Sequence, residues 1–162
     1  MRRGVIPGAR LTAASRINVV PGITVQNFTM GDDTTAAFSL QPFGFTLPYY
    51  RGNYSNLNVN SNGSMSFEGG DTNFVPSSST FLTGVPEIAG FSTDLNPSIA
   101  GTIRLTVDQT TPVPFVVLDF INVAEFQTGS PHNFRITHYS IIGDIVIAIS
   151  GFNATPLVPS IF

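Results

Sequence analysis

The chain has 162 residues, 42% of them apolar, which is enough for one hydrophobic core and one domain. Only 10% are charged, the net charge is −3, and the basic residues are seven scattered arginines, so the composition argues against global disorder and against electrostatic binding to nucleic acid or anionic lipid. With no cysteine in the chain, disulfides, thiolate metal sites and cysteine nucleophiles are excluded together.

Residues 1–16 hold Arg2, Arg3 and Arg10 among glycines and a proline without a sustained period, which predicts an irregular basic arm. The same stretch lacks the apolar run of ~7–15 residues of a signal peptide, and no secretory leader is expected. From Ile17 the chain changes to short Val, Ile, Thr and Phe runs between Gly, Pro, Asn and Ser clusters, which predicts a strand-rich domain over 17–152. Weaker strand signals cover Ile23 to Phe28, Phe38 to Leu40 and Ile88 to Ser92. Leu57 and Val59 alternate with Asn56, Asn58 and Asn60, and after Asn62-Gly63 the alternation resumes with Met65 and Phe67, which predicts a hairpin. Gly69 to Ser79 reads as the longest internal loop, with Asp71, Asn73 and Phe74 as candidate contact residues.

Further along, Ile103, Leu105 and Val107 alternate with Arg104 and Thr106, the pattern of a half-buried strand. Phe134, Ile136 and His138 repeat it against Arg135, Thr137 and Tyr139. Phe115 to Ile121 and Ile145 to Ile149 are nearly continuous apolar runs, which predicts central strands covered on both faces. No amphipathic helix is expected anywhere, and the longest apolar stretch, broken at Gly143 and Asp144, falls far short of the ~20 residues of a membrane span. About ten short strands without intervening helices predict an all-β, antiparallel two-sheet sandwich, jelly-roll-like or nidogen-like, followed by an irregular tail over 153–162.

Three segments carry a family resemblance. Pro42-Phe43-Gly44-Phe45 and Leu47-Pro48-Tyr49-Tyr50 lead to Val59-Asn60-Ser61-Asn62-Gly63 and Phe67. Pro86-Glu87-Ile88-Ala89-Gly90-Phe91-Ser92-Thr93-Asp94-Leu95-Asn96-Pro97 precedes Gly101-Thr102-Ile103. Phe115-Val116-Val117, Phe120 to Val123 and Asn133-Phe134-Arg135-Ile136 follow as paired strands. Over about Leu40 to Ser150 this resembles nidogen-like β-sandwich domains, departing from them at Gly90-Phe91-Ser92, where that group commonly carries a proline-aromatic-tryptophan series. The resemblance implies surface adhesion and assembly rather than catalysis.

Chemistry-bearing residues are sparse. His132 and His138, six apart, would lie roughly 20 Å from each other on one strand, too far to share a metal; they read as a loop-end polar residue and a half-buried strand residue. No Gly-x-Ser-x-Gly elbow is present. Glu87, Asp94 and Asn96 offer oxygen ligands for calcium, but Asp94 and Asn96 read more readily as turn residues before Pro97. Asp119 interrupts an apolar strand and either pairs with Arg104 or Arg135 or faces solvent. Asp32-Asp33 reads as a turn pair. Phe43, Phe45, Tyr49, Tyr50 and Tyr54 crowd beside Arg51, as core packing or as a stacking surface for carbohydrate or protein. The Asn-x-Ser/Thr triplets at Asn27, Asn53, Asn62 and Asn153 read as chance matches.

These features predict a non-enzymatic assembly protein without cofactor, metal or membrane insertion: a viral (phage) capsid, decoration or tail-associated virion component. It is expected to form a homo-oligomer, a trimer, and to contact other virion or surface proteins. Arg2, Arg3 and Arg10 in the arm and Leu157, Val158, Ile161 and Phe162 in the tail are its candidate interface. The alternatives are a cell-surface or extracellular adhesin module binding glycan or protein and, far behind, a small sandwich hydrolase without a motif.

Overall fold

Alternation of apolar and polar residues dictates a two-layer arrangement, and a computed structural model has it, describing residues 22–50, 52–75 and 77–150. The arm with Arg2, Arg3 and Arg10, the tail with Leu157, Val158, Ile161 and Phe162, and Arg51 lie outside the described residues. The strands are β1 (Ile23–Phe28), β2 (Thr35–Ser39), β3 (Leu47–Tyr49), β4 (Gly52–Tyr54), β5 (Asn56–Asn60), β6 (Ser64–Ser66), β7 (Glu87–Ala89), β8 (Thr102–Asp108), β9 (Phe115–Ala124), β10 (Pro131–Tyr139) and β11 (Ile145–Ile149). Every pairing is antiparallel. One sheet has five strands in the order β1-β8-β9-β10-β11, another has four in the order β2-β5-β6-β7, and β3 and β4 form a separate hairpin.

The core lies between the two larger sheets. Leu57, Val59, Met65 and Ile88 meet Ile103, Leu105, Val107, Val116, Leu118, Phe120, Phe134 and Ile136, all buried. Phe120 and Phe134 stack at 4.4 Å. Each such side chain stabilises the fold by about 1.5–3 kcal/mol relative to exposure. The period-two reading of Ile103 to Val107 therefore holds, and β9 is a central strand as its apolar run predicts.

Three expectations fail. Ile145 to Ile149 is an edge strand with all five residues exposed, not a central one. An apolar run signals a covered strand only if layers exist above and below it, and the four-stranded sheet leaves β11 exposed. The Gly69 to Ser79 segment is not irregular throughout: its end enters a short helix, α1 (Ser78–Thr83), where Ser77 caps by accepting the Thr80 N–H. Both histidines are buried on β10, so neither is a loop-end or half-buried residue. The β10 register slips between His132 and Phe134, where Asn133 and Asn122 bond reciprocally: the Asn122 N–H and the Asn133 side-chain amide each donate at 2.9 Å.

Candidate functional site

The Asn60-Ser61-Asn62-Gly63-Ser64 segment connects β5 to β6 and forms a buried polar knot. Gly63 has φ +101°, and an added Cβ would lie 1.7 Å from the Phe91 carbonyl oxygen, so only glycine fits. The hairpin turn is three residues long, with Asn60 paired to Ser64, and Gly63 rather than Asn62 supplies the positive φ. The Asn62 amide donates to Asp33 Oδ1 at 2.8 Å and to the Asn73 carbonyl at 3.0 Å, while its oxygen accepts the Leu95 N–H at 2.9 Å. Asn60 donates to the Ser64 and Ser66 hydroxyls and accepts from Thr35 Oγ1 and the Asp71 N–H. Four chain segments are thereby tied to one turn.

Asp71 and Asn73 are brought together, the Asn73 N–H donating to Asp71 Oδ1 at 2.8 Å. Phe74 points outward and is exposed beside Val75. Asp71 also faces Glu87, whose carboxyl is pushed up to about 7, first by burial and then by the Asp71 charge and hydrogen bond, against the lowering effect of Ser64 and Asn60. Glu87 forms part of the wall of an open cleft of about 400 Å³, with Tyr49, Tyr50, Tyr54, Glu68, Phe81 and Leu82 among its lining. The Tyr49 hydroxyl donates to the Glu87 carbonyl and the Tyr54 hydroxyl to Glu68 at 3.0 Å. Burial, followed by the neighbouring Tyr50, raises the Tyr49 phenol above the ordinary tyrosine range. Tyr50 stands at the β3–β4 turn with φ +48° and is 88% exposed, its ring edge-on to Tyr49 at 4.6 Å. Tyr49 and Tyr54 instead pack on Phe67, so the tyrosine cluster is core on one side and cleft on the other.

The acidic residues regroup relative to expectation. Asp94 meets Asp32 and Asp33, with carboxylate oxygens all within 4.8 Å, an oxygen set that could hold a hard cation. Burial and the Asp33 charge raise the Asp32 carboxyl; burial followed by Asp32, Asp33 and Glu125 raises Asp94. Asn96 is a turn residue, its oxygen accepting the Ser98 N–H at 2.9 Å, and the Glu87–Asp94–Asn96 grouping is not formed around one centre. Asp119 takes both candidate partners, Arg104 at 2.9 Å and Arg135 at 2.6 Å. Burial pulls its carboxyl upward, and the two arginines more than offset that and hold it below the usual range.

Both histidines are enclosed by aromatic neighbours. His132 stacks on Phe91 at 5.0 Å, with Nε2 3.9 Å from Glu125. His138 places Nε2 2.9 Å from the Pro48 carbonyl, with Tyr49 and Phe67 edge-on. Burial lowers both pKa values, opposed by Glu125 for His132 and by the Pro48 bond for His138.

The molecule is thus an antiparallel β-sandwich with a buried polar knot and an open aromatic cleft. The family model described as NIDO related matches residues 11–154, and the chain belongs to this nidogen-related family, whose domains are generally non-enzymatic structural modules. No curated protein and no solved structure matches it. The sequence singles out Glu87, Asp94 and the Asp32-Asp33 pair but not the pairing of Glu87 with Asp71, the meeting of Asp94 with Asp32 and Asp33, or the place of Glu68 in the cleft. The one usable signal was the polar series Asn58, Asn60, Ser64 and Ser66 on a predicted hairpin.

Proposed function

We propose that this chain is a non-enzymatic assembly module that works by having its surface covered by neighbouring proteins, and that its setting is a virion, as a capsid, decoration or tail-associated component. The observation that carries the assembly reading is the row of exposed apolar side chains on both edge strands of the larger sheet: Ile23 and Val25 on β1, and Ile145, Val146, Ile147 and Ile149 on β11. Patches of this kind mark sites of association, and a chain with 10% charged residues has little to keep such edges apart in solution. Family membership supports the same reading. Size-exclusion chromatography with light scattering tests it. A defined homo-oligomer is the expected result, and truncation before Leu157 should weaken assembly more than folding. A chain that stays monomeric at high concentration would overturn it.

A second reading, an adhesin that binds glycan or protein, is favoured by the cleft. The exposed Tyr50 ring lines the same cleft as Glu68 and Glu87, which together provide stacking and hydrogen-bond acceptors for a sugar. Glycan-array binding lost in Tyr50→Ala would decide for it.

A further inference from the structure

Among the described residues, strand β11 is paired on one side only, by β10. On its inner side the Tyr139 N–H donates to the Asp144 carbonyl at 3.0 Å and the Ser150 N–H donates to the Asn133 carbonyl at 2.9 Å. Antiparallel ladders alternate hydrogen-bonded and non-hydrogen-bonded pairs. In the β10–β11 register, Ile145 opposite His138, Ile147 opposite Ile136 and Ile149 opposite Phe134 are therefore the non-hydrogen-bonded pairs. Their N–H and C=O groups point away from β10, and no described residue meets them. Within Ile145–Ile149 there is no charge, proline or bulge to blunt the edge.

We propose that this edge pairs with β11 of a second copy, antiparallel about a twofold axis at Ile147. This deepens the assembly reading and rests on it. The strand Ile145-Val146-Ile147-Ala148-Ile149 is nearly palindromic, so that register sets Ile145 against Ile149 of the other copy, Val146 against Ala148 and Ile147 against itself. The outward-facing residues then fall on the hydrogen-bonded positions, giving six main-chain bonds and a closed, isologous contact. Charge is compatible: Asp144, flanking the strand, faces Ser150 of the other copy rather than another acid. The opposite edge is less suited, because the Gln26 side chain on β1 already donates to the Asn27 carbonyl, and a β1-to-β11 contact would be heterologous, closing only as a ring or else propagating into a filament. A five-residue edge covers well under the ~800 Å² per partner of a standard interface, so the pairing should be concentration-dependent.

The absence of native cysteine makes the test clean. In the proposed register Val146 and the other copy's Ala148 form a non-hydrogen-bonded pair with Cα atoms ~4.5 Å apart, within disulfide reach, whereas Val146 and its own symmetry mate exceed ~7 Å. Val146→Cys and Ala148→Cys, both at exposed positions, are each oxidised alone and then after mixing at roughly 100 μM, alongside light scattering of the unaltered chain. The expected result is a disulfide-linked dimer in the mixture at least tenfold more abundant than in either variant alone. Ile147→Lys, which sets two ammonium groups face to face, should weaken association at least tenfold. An oligomer that yields no mixed disulfide, or that tolerates Ile147→Lys unchanged, overturns the pairing and leaves the assembly reading standing. A monomer that yields no cross-link overturns both.

Discussion

The turn end of the molecule and its β11 edge are opposites. Around Asn60, Asn62 and Gly63, polar groups are buried and matched: two side-chain amides bind three hydroxyls, one carbonyl, two backbone N–H groups and a carboxylate. Along β11 the backbone of three isoleucines is unmatched by any described residue, and the side chains lie in the open. Buried polar groups cost free energy unless satisfied, so the first region is complete within one chain. The second has the character of a surface awaiting a cover. Changes at the turn should therefore act on folding, and changes at the edge on association.

The sharpest break of that contrast is Gly63→Ala. A side chain at φ +101° against the Phe91 carbonyl should cost about 3 kcal/mol or more, visible as a thermal midpoint lowered by ~6–12 °C. A midpoint within a degree or two of the unaltered chain would show that the turn is not the clamp described. Asn62→Ala comes next, expected to cost about 2–3 kcal/mol because it strands the Leu95 N–H and releases Asp33 and Asn73. Urea unfolding would measure it.

Asp119→Asn should cost about 1–3 kcal/mol, since the partners Arg104 and Arg135 are partly exposed and screened. Its folded pKa is depressed, so its contribution is present above the unfolded value of ~3.9 and is lost as pH falls through the folded value. The unaltered chain should lose stability below about pH 4, and the variant should lose less. Glu87 has the opposite sign. Its pKa is raised from 4.5 to about 7, so its contribution is present below 4.5 and is lost as pH rises through about 7. Glu87→Gln should therefore be more stable than the unaltered chain at pH 8, by about 1 kcal/mol, and nearly equal to it at pH 4.5. Denaturant midpoints that differ by the same amount at both pH values would refute the assignment. The smallest effect belongs to Tyr50→Ala, within about 0.5 kcal/mol because the ring is 88% exposed.

What was legible in the sequence followed from alternation. Ile103, Leu105 and Val107, the Leu57 to Phe67 hairpin and the central β9 were readable because a side chain's face follows from its parity along the strand. Parity fails where a loop covers the outer face, which is why Asn60 and Ser66, on the expected solvent side of their hairpin, are buried beneath residues Gly69 to Asp71. It fails equally for β11, whose apolar run implies a covered strand but which no described residue covers. Asp119 was recognisable as needing an arginine, and the register supplied both, because Arg104 and Arg135 lie directly across from it on the flanking strands. Glu87 and Asp71, sixteen residues apart, and Asp33 and Asp94, still further apart, meet only through loop paths that no local pattern encodes.

The central claim is that the sandwich presents edges which are covered by further copies or partners. Sedimentation velocity of the unaltered chain across a hundredfold range of concentration tests it most directly. The account predicts a sedimentation coefficient that rises with concentration to a defined oligomer; a single monomer boundary throughout would contradict it.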